Sequence, residues 1–211
     1  MNTMTLVTAA LLSANLAFAA GTTKEKEKDK SKAKPAAAAA VKKEVTGALK
    51  WTGYGVGKTH TGDLNVKSGE VEMKGDDIVG GTFVIDMTSL KTADSPKLQG
   101  HLQSADFFDV AKYPEAVYKI TQVEAIKGAT AGSPTHKIMG NLTIKSKTEP
   151  LEMLAVVTKK DNKYTAVATT EIKDRTKYDI VYNSKQFKTV SALGDKLIED
   201  HIKLDLNVTT K

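Results

Sequence analysis

His101 and Ser104 stand three residues apart in the run GHLQSADFFDVAKYPEA (residues 100–116), with Asp106 and Asp109 close behind. A base, a hydroxyl and carboxylates able to orient the base are the residue types of nucleophilic hydrolysis. The spacing argues against that use. Neighbours at i and i+3 on an exposed helical face seldom present an activated nucleophile, and the chain has no Gly-x-Ser-x-Gly elbow. The competing reading is architectural. His101 ties a helix to a strand backbone, Asp106 or Asp109 caps the passage from helix to loop, and Phe107 and Phe108 plug the end of a larger body.

The other candidates for chemistry are isolated. His60, His101, His136 and His201 occur singly, without His-x-His or His-Glu-x-x-His spacing, so no metal site is expected. Arg175 is the sole arginine and follows Asp174. It either grips a carboxylate or phosphate head group bidentately or forms a rim ion pair with Asp106 or Asp109 that pins the helix. Trp51 and Tyr54, on the first strand of the domain, read as packing at the barrel bottom rather than as stacking surfaces for a ligand.

These side chains need a frame, and the chain ends define its limits. Residues 1–19, MNTMTLVTAALLSANLAFA, run apolar from Leu6 to Leu16 and end in Ala17-Phe18-Ala19. That run is short of the roughly 20 residues a membrane span needs. It fits a signal peptide cleaved before Ala20, which would place the protein in the periplasm or outside the cell. Residues 20–44 follow as a lysine- and alanine-rich tether whose composition cannot offset the entropy of ordering. Lys24 to Glu44 carries +4 of the formal net charge of +6. The basic balance is thus a property of the tail, which can touch anionic envelope surfaces weakly through screened attraction. With one arginine and a nearly neutral domain, no nucleic-acid partner is expected. The chain has no cysteine, which excludes a disulfide framework and Cys-based zinc sites. Residues 45–211 are long enough to hold themselves as one domain by their core.

Period-two alternation marks that domain as all-β. In GTFVIDM, Phe83, Ile85 and Met87 share a face; in AVYKITQV, Tyr118 and Ile120 do; in HKIMGNLTI, Ile138, Leu142 and Ile144 do, with a gap at Gly140. Leu204 and Leu206 belong to the last alternating run, Ile202 to Val208. Gly75-Asp76-Asp77, Gly80-Gly81, residues 128–134 and Lys160-Asp161-Asn162 read as turns between strands. About eight short strands argue an antiparallel barrel or sandwich. One helix interrupts them. Ser95 is its cap, Pro96 its first residue, and Leu98 and Leu102 lie on one edge as it runs through PKLQGHLQSADFF. Tyr113-Pro114 then launches the next strand.

Several blocks in order resemble the YceI-like family: IDMTSLKT, HLQSADFFDVAKYPEA, IMGNLTIKSKTEPLEM, and IKDRTKYDIVYNSKQF followed by LIEDHIKLDLNV as a pair of C-terminal strands. The resemblance spans roughly residues 48–209. It departs at Leu98-Gln99, where better-known members have Arg-Asp, and at Ser146, where they have glycine. It implies a lipocalin-like antiparallel barrel of about eight strands with one short inserted helix, and an exported protein that is not an enzyme. It also implies an apolar small-molecule ligand, an isoprenoid lipid or similar long-chain amphiphile, in place of a catalytic cofactor. The interior candidates are then the Phe83–Met87 and Tyr118–Ile120 faces, Leu142 with Ile144, Leu204 with Leu206, and Leu102, Phe107 and Phe108 of the cap. His101 and Arg175 are candidate polar groups at the rim. An eight-stranded barrel either holds one small ligand or is filled by its own side chains. A stress-response or structural protein with a filled barrel is therefore the alternative, and a hydrolase using His101 the third reading.

Overall fold

The computed structural model describes residues 39–211. The signal peptide expected over 1–19, and the tether expected over 20–44 as far as residue 38, lie outside the described residues. The rest closes into one antiparallel barrel of eight strands, each paired with its neighbour in sequence and the last with the first. The strands are β1 (Val41–Gly55), β2 (Lys58–Lys74), β3 (Asp77–Thr92), β4 (Glu115–Ala125), β5 (His136–Ile144), β6 (Lys147–Lys160), β7 (Lys163–Ile172) and β8 (Ile198–Thr210). Strand β1 takes in Val41 to Glu44, pairing Val41 with Met73 and Glu44 with Glu70. Residues 41–44 of the expected tether are therefore strand, because the β2 ladder supplies partners that composition does not reveal.

Gly80 and Gly81 are not a turn. They lie inside β3 opposite Glu72 and Val71. A Cβ on Gly81 would stand 2.7 Å from the Glu70 carbonyl oxygen, so the glycine permits close strand approach rather than reversal. The helix α1 (Pro96–Gln103) starts where expected, with the Ser95 hydroxyl accepting from the Leu98 amide at 3.2 Å. It ends at Gln103, short of the Phe pair, which sits in the turns that follow. IKDRTKYDIVYNSKQF is also no strand. After Ile172 the chain makes a long connection, with a 3-10 turn at Arg175–Tyr178, a four-residue helix α2 (Val190–Leu193) and a second 3-10 turn at Gly194–Lys196.

The barrel is filled unevenly along its axis. At one end Val45, Val71, Met73 and Tyr164 form a separate buried cluster, joined by half-buried Phe83, Val157 and Val208. That end is tied shut from outside the core. The Tyr164 hydroxyl donates to Asp76 at 2.7 Å and Lys159 donates to the same oxygen at 2.6 Å, linking the β2–β3 turn to β6 and β7. Lys159 foremost, then Tyr164, holds the Asp76 carboxyl below the usual carboxylate range. The main core occupies the other end, beneath α1 and the β7–β8 connection. So the barrel is neither wholly filled nor wholly hollow.

Candidate functional site

A cavity of about 290 Å³ lies in the α1 half of the barrel. Its deep wall is one layer of the ladder. Leu49 of β1 is in register with both Leu64 of β2 and Leu206 of β8, and all three line the space. Ile85, Met87, Leu142, Ile144, Leu151 and Met153 continue the wall around the other strands. The cap closes the side. Leu98, Leu102, Phe107 and Phe108 face the cavity. Phe107 is buried and packs edge-on against His101 at 5.0 Å and tilted against Tyr182 at 5.3 Å. The mouth lies between the β1–β2 turn and the start of β8, where Val56, Lys58, Asp195 and Lys196 line it and are exposed.

Trp51, Tyr118 and Thr170, which border the cavity from three different strands, are all paired within the protein. The Trp51 indole donates to the Lys91 carbonyl at 3.2 Å. The Tyr118 hydroxyl donates to the Leu151 carbonyl at 3.1 Å, and the Thr170 hydroxyl to the Glu152 carbonyl at 2.5 Å. Burial foremost pushes the Tyr118 phenol above its ordinary range, with the Glu152 charge adding to it, so it stays protonated as that donor. A surface whose polar atoms are already paired suits a solute that asks for no hydrogen bonds.

Arg175 is not a rim residue. It is 2% exposed, and its guanidinium donates from Nε to Glu199, from Nη1 to Ile180, and from Nη2 to Tyr182 and Ile198, all backbone carbonyls. Its acidic partner is Asp200, at 3.4 Å, rather than Asp106 or Asp109. Although it borders the cavity, its donors hold the β7–β8 connection against β8 instead of facing a head group. Asp200 Oδ1 is the one buried side-chain polar atom among the described residues without a hydrogen bond.

His101 differs from expectation too. Its Nε2 lies 3.0 Å from Asp106 Oδ2, and its ring is edge-on to Phe107 and Tyr182, so it joins two parts of the cap. The residue that ties the helix to a strand is Gln103, whose side-chain amide donates to the Leu90 carbonyl at 3.2 Å. Ser104 gives its hydroxyl proton to the His101 carbonyl at 2.7 Å, not to the imidazole. The Ser104 hydroxyl is thus turned to a carbonyl and the His101 imidazole to Asp106, so His101, Ser104 and the aspartates do not assemble as nucleophile, base and orienter. The other histidines are scattered: His60 beside Asp94, His136 beside Thr135, and His201 stacked on Tyr54. Among the described residues no three metal-ligating side chains converge.

Of the interior candidates, Ile85, Met87, Leu102, Phe107, Phe108, Tyr118, Leu142, Ile144, Leu204 and Leu206 line the cavity. Phe83 and Ile120 do not. They point inward but lie beyond its floor; Phe83 packs against the ring of residues around Val45 and Gly69. Trp51 and Tyr54 belong to the cavity end, not to the barrel bottom. Leu49, Leu64, Leu151 and Met153 line the cavity as well, on strands whose alternation is visible in the sequence. Tyr182 and Leu197 sit in the irregular connection and give no periodic signal.

A closed barrel with a helix-capped apolar slot is the architecture the sequence blocks imply, and a model of the YceI-like domain matches residues 28–210. The chain belongs to the YceI-like family. Among solved structures, Burkholderia cenocepacia BcnA aligns with a TM-score of 0.60 at 18% identity, covering 78% of this chain and 96% of that one. A polyisoprenoid-binding domain from Saccharophagus degradans, described as implicated in plant cell wall breakdown, aligns with a TM-score of 0.54 at 12% identity. That alignment covers 80% of this chain and 97% of the other. At these identities the likeness is one of fold. A comparison with curated proteins gives no match. Within this YceI-like barrel, Leu98, Leu102, Phe107 and Phe108 bring α1 and the turns after it onto the cavity.

Proposed function

We propose that this YceI-like protein is an exported carrier that takes the chain of an apolar ligand, isoprenoid or fatty-acid-derived or quinone-like, into the α1 half of its barrel. It acts by binding and not by catalysis. The observation that carries the reading is the cavity wall: apolar along its depth, with the polar groups of Trp51, Tyr118, Thr170 and Arg175 engaged by the protein's own carbonyls. Family membership supports it, as does the polyisoprenoid binding of the S. degradans relative. Burying methylenes supplies about 0.8 kcal/mol each, so roughly ten would contribute about 8 kcal/mol before the costs of ordering. The polar end of such a ligand would rest at the mouth, between Lys58 on one side and Asp195 and Lys196 on the other.

Native mass spectrometry of the purified protein tests this directly. A co-purified lipid that organic extraction removes, and that rebinds on addition, is the expected result. Protein that is lipid-free as isolated and takes up no isoprenoid or fatty acid would overturn the reading. Export rests on the N-terminal sequence and has its own measurement. Intact mass of protein recovered from the periplasm or medium of an exporting host should correspond to a chain beginning at Ala20; a chain retaining Met1 would refute cleavage.

A further inference from the structure

The cavity stops part-way down the barrel: Tyr118 of β4 lines it, while Phe83 opposite it on β3 and Ile120 two residues further along β4 do not. Ile198 and Leu206 of β8 both line the space. At roughly 3.3 Å per residue and a tilt near 40°, they mark a slot about 20 Å deep along the axis. Below that level the barrel continues, packed by Met73, Tyr164 and their neighbours. Tyr118 stands at the boundary. It is buried, lines the cavity, and sends its ring across to β5, whose Gly140 leaves the room. A Cβ on Gly140 would stand 2.5 Å from the Tyr118 ring and 2.7 Å from its hydroxyl oxygen. The hydroxyl then anchors on the Leu151 carbonyl of β6. The side chain thus runs from β4 past Gly140 of β5 and is fixed at its tip to β6. Ile120, two residues along β4 with its side chain on the same face, does not line the slot.

We infer that Tyr118 is a length gauge: it fixes the floor of the slot and so limits the ligand to a single chain that ends against its ring. This rests on the carrier reading above and sharpens it. Carbons beyond the limit must stay outside the mouth, where they gain nothing from the wall. The chemical class is then a single-chain amphiphile of bounded length, not a polyprenyl chain threading the barrel from end to end.

The test is a homologous series of saturated fatty acids from laurate to arachidate, with farnesol and geranylgeraniol alongside, titrated into delipidated full-length protein. In the wild type, affinity should rise with length and then level off within the series. Tyr118→Ala should move that plateau to longer members, with roughly tenfold gained for every two methylenes newly buried. Met73→Ala loosens the packed half without touching the floor, and its plateau should stay with the wild type. Tyr118→Leu serves the same purpose if the alanine variant does not fold, since it shortens the side chain and removes the anchor while keeping apolar bulk.

The outcomes separate cleanly. Affinity that climbs through the whole wild-type series overturns the gauge and leaves the carrier reading standing. A plateau unmoved by both Tyr118 variants, or moved equally by Met73→Ala, also overturns it. If no member binds the wild type, the carrier reading has failed and the gauge falls with it.

Discussion

Arg175→Met should lose about 3–5 kcal/mol of folding stability, the range for removing one partner of a buried ion pair. The side chain is almost wholly enclosed, and its removal strands four carbonyl oxygens, those of Ile180, Tyr182, Ile198 and Glu199. It also leaves Asp200 buried without its cation. Burial foremost lowers the Arg175 pKa, opposed by the charges of Asp200 and Asp174; the guanidinium is therefore retained at a desolvation cost that its partners offset. Lysine should not substitute. One ammonium cannot reproduce a planar fork serving carbonyls on two separate segments. The double variant Arg175→Met, Asp200→Asn should recover part of the loss, because the stranded carboxylate is then gone. Urea unfolding of the three variants measures this. A cost below about 1 kcal/mol for Arg175→Met would mean the connection is held by something else.

Phe107→Ala is the second large effect, again about 3–5 kcal/mol. Phe107 is buried at the exit of the α1 cap, between His101 and Tyr182, and borders the cavity. Its loss merges the slot with new empty volume and removes the ring on which the other two aromatic groups pack. Phe108 also borders the cavity but is only half-buried, so Phe108→Ala should cost clearly less. Denaturant midpoints rank the pair, and lipid retention by native mass spectrometry should fall further for Phe107→Ala. Equal costs, or a reversed order, would show that the cap closes differently.

Much of this architecture is legible in the sequence, for a physical reason. Alternation in GTFVIDM or HKIMGNLTI reports which way a side chain points, and a barrel has only an inside and an outside. Period two carries no information about height along the axis, which is why Phe83 and Ile120 look identical in kind to Ile85 and Tyr118. Height is set by register, through pairs such as Leu49 with Leu206 and Tyr118 with Leu142. The gap at Gly140 is visible in its strand, but only the offset between β4 and β5 shows that a tyrosine ring from the neighbour fills it. Arg175 is the harder case. Its partners lie in a connection with no periodicity, and Asp200 is the residue that β8 happens to bring beneath it. Gly80-Gly81 misleads because glycine serves turns and close strand approaches alike.

The pairing of β1 with β8 has a consequence in time. It runs from Val45 opposite Thr210 to Gly55 opposite Ile198, and the Lys211 side chain reaches Glu44 at 2.8 Å across a sequence separation of 167 residues. No part of that seam exists until β8 joins the sheet beside β1. Long-range closures of this kind are slow, typically milliseconds to seconds for small β proteins. Until it closes, both terminal strands present unpaired backbone groups that another copy can capture. The finished barrel has no sheet edge, and every incomplete one has two. The hazard of aggregation therefore belongs to the unclosed barrel, and it ends when β8 docks against β1.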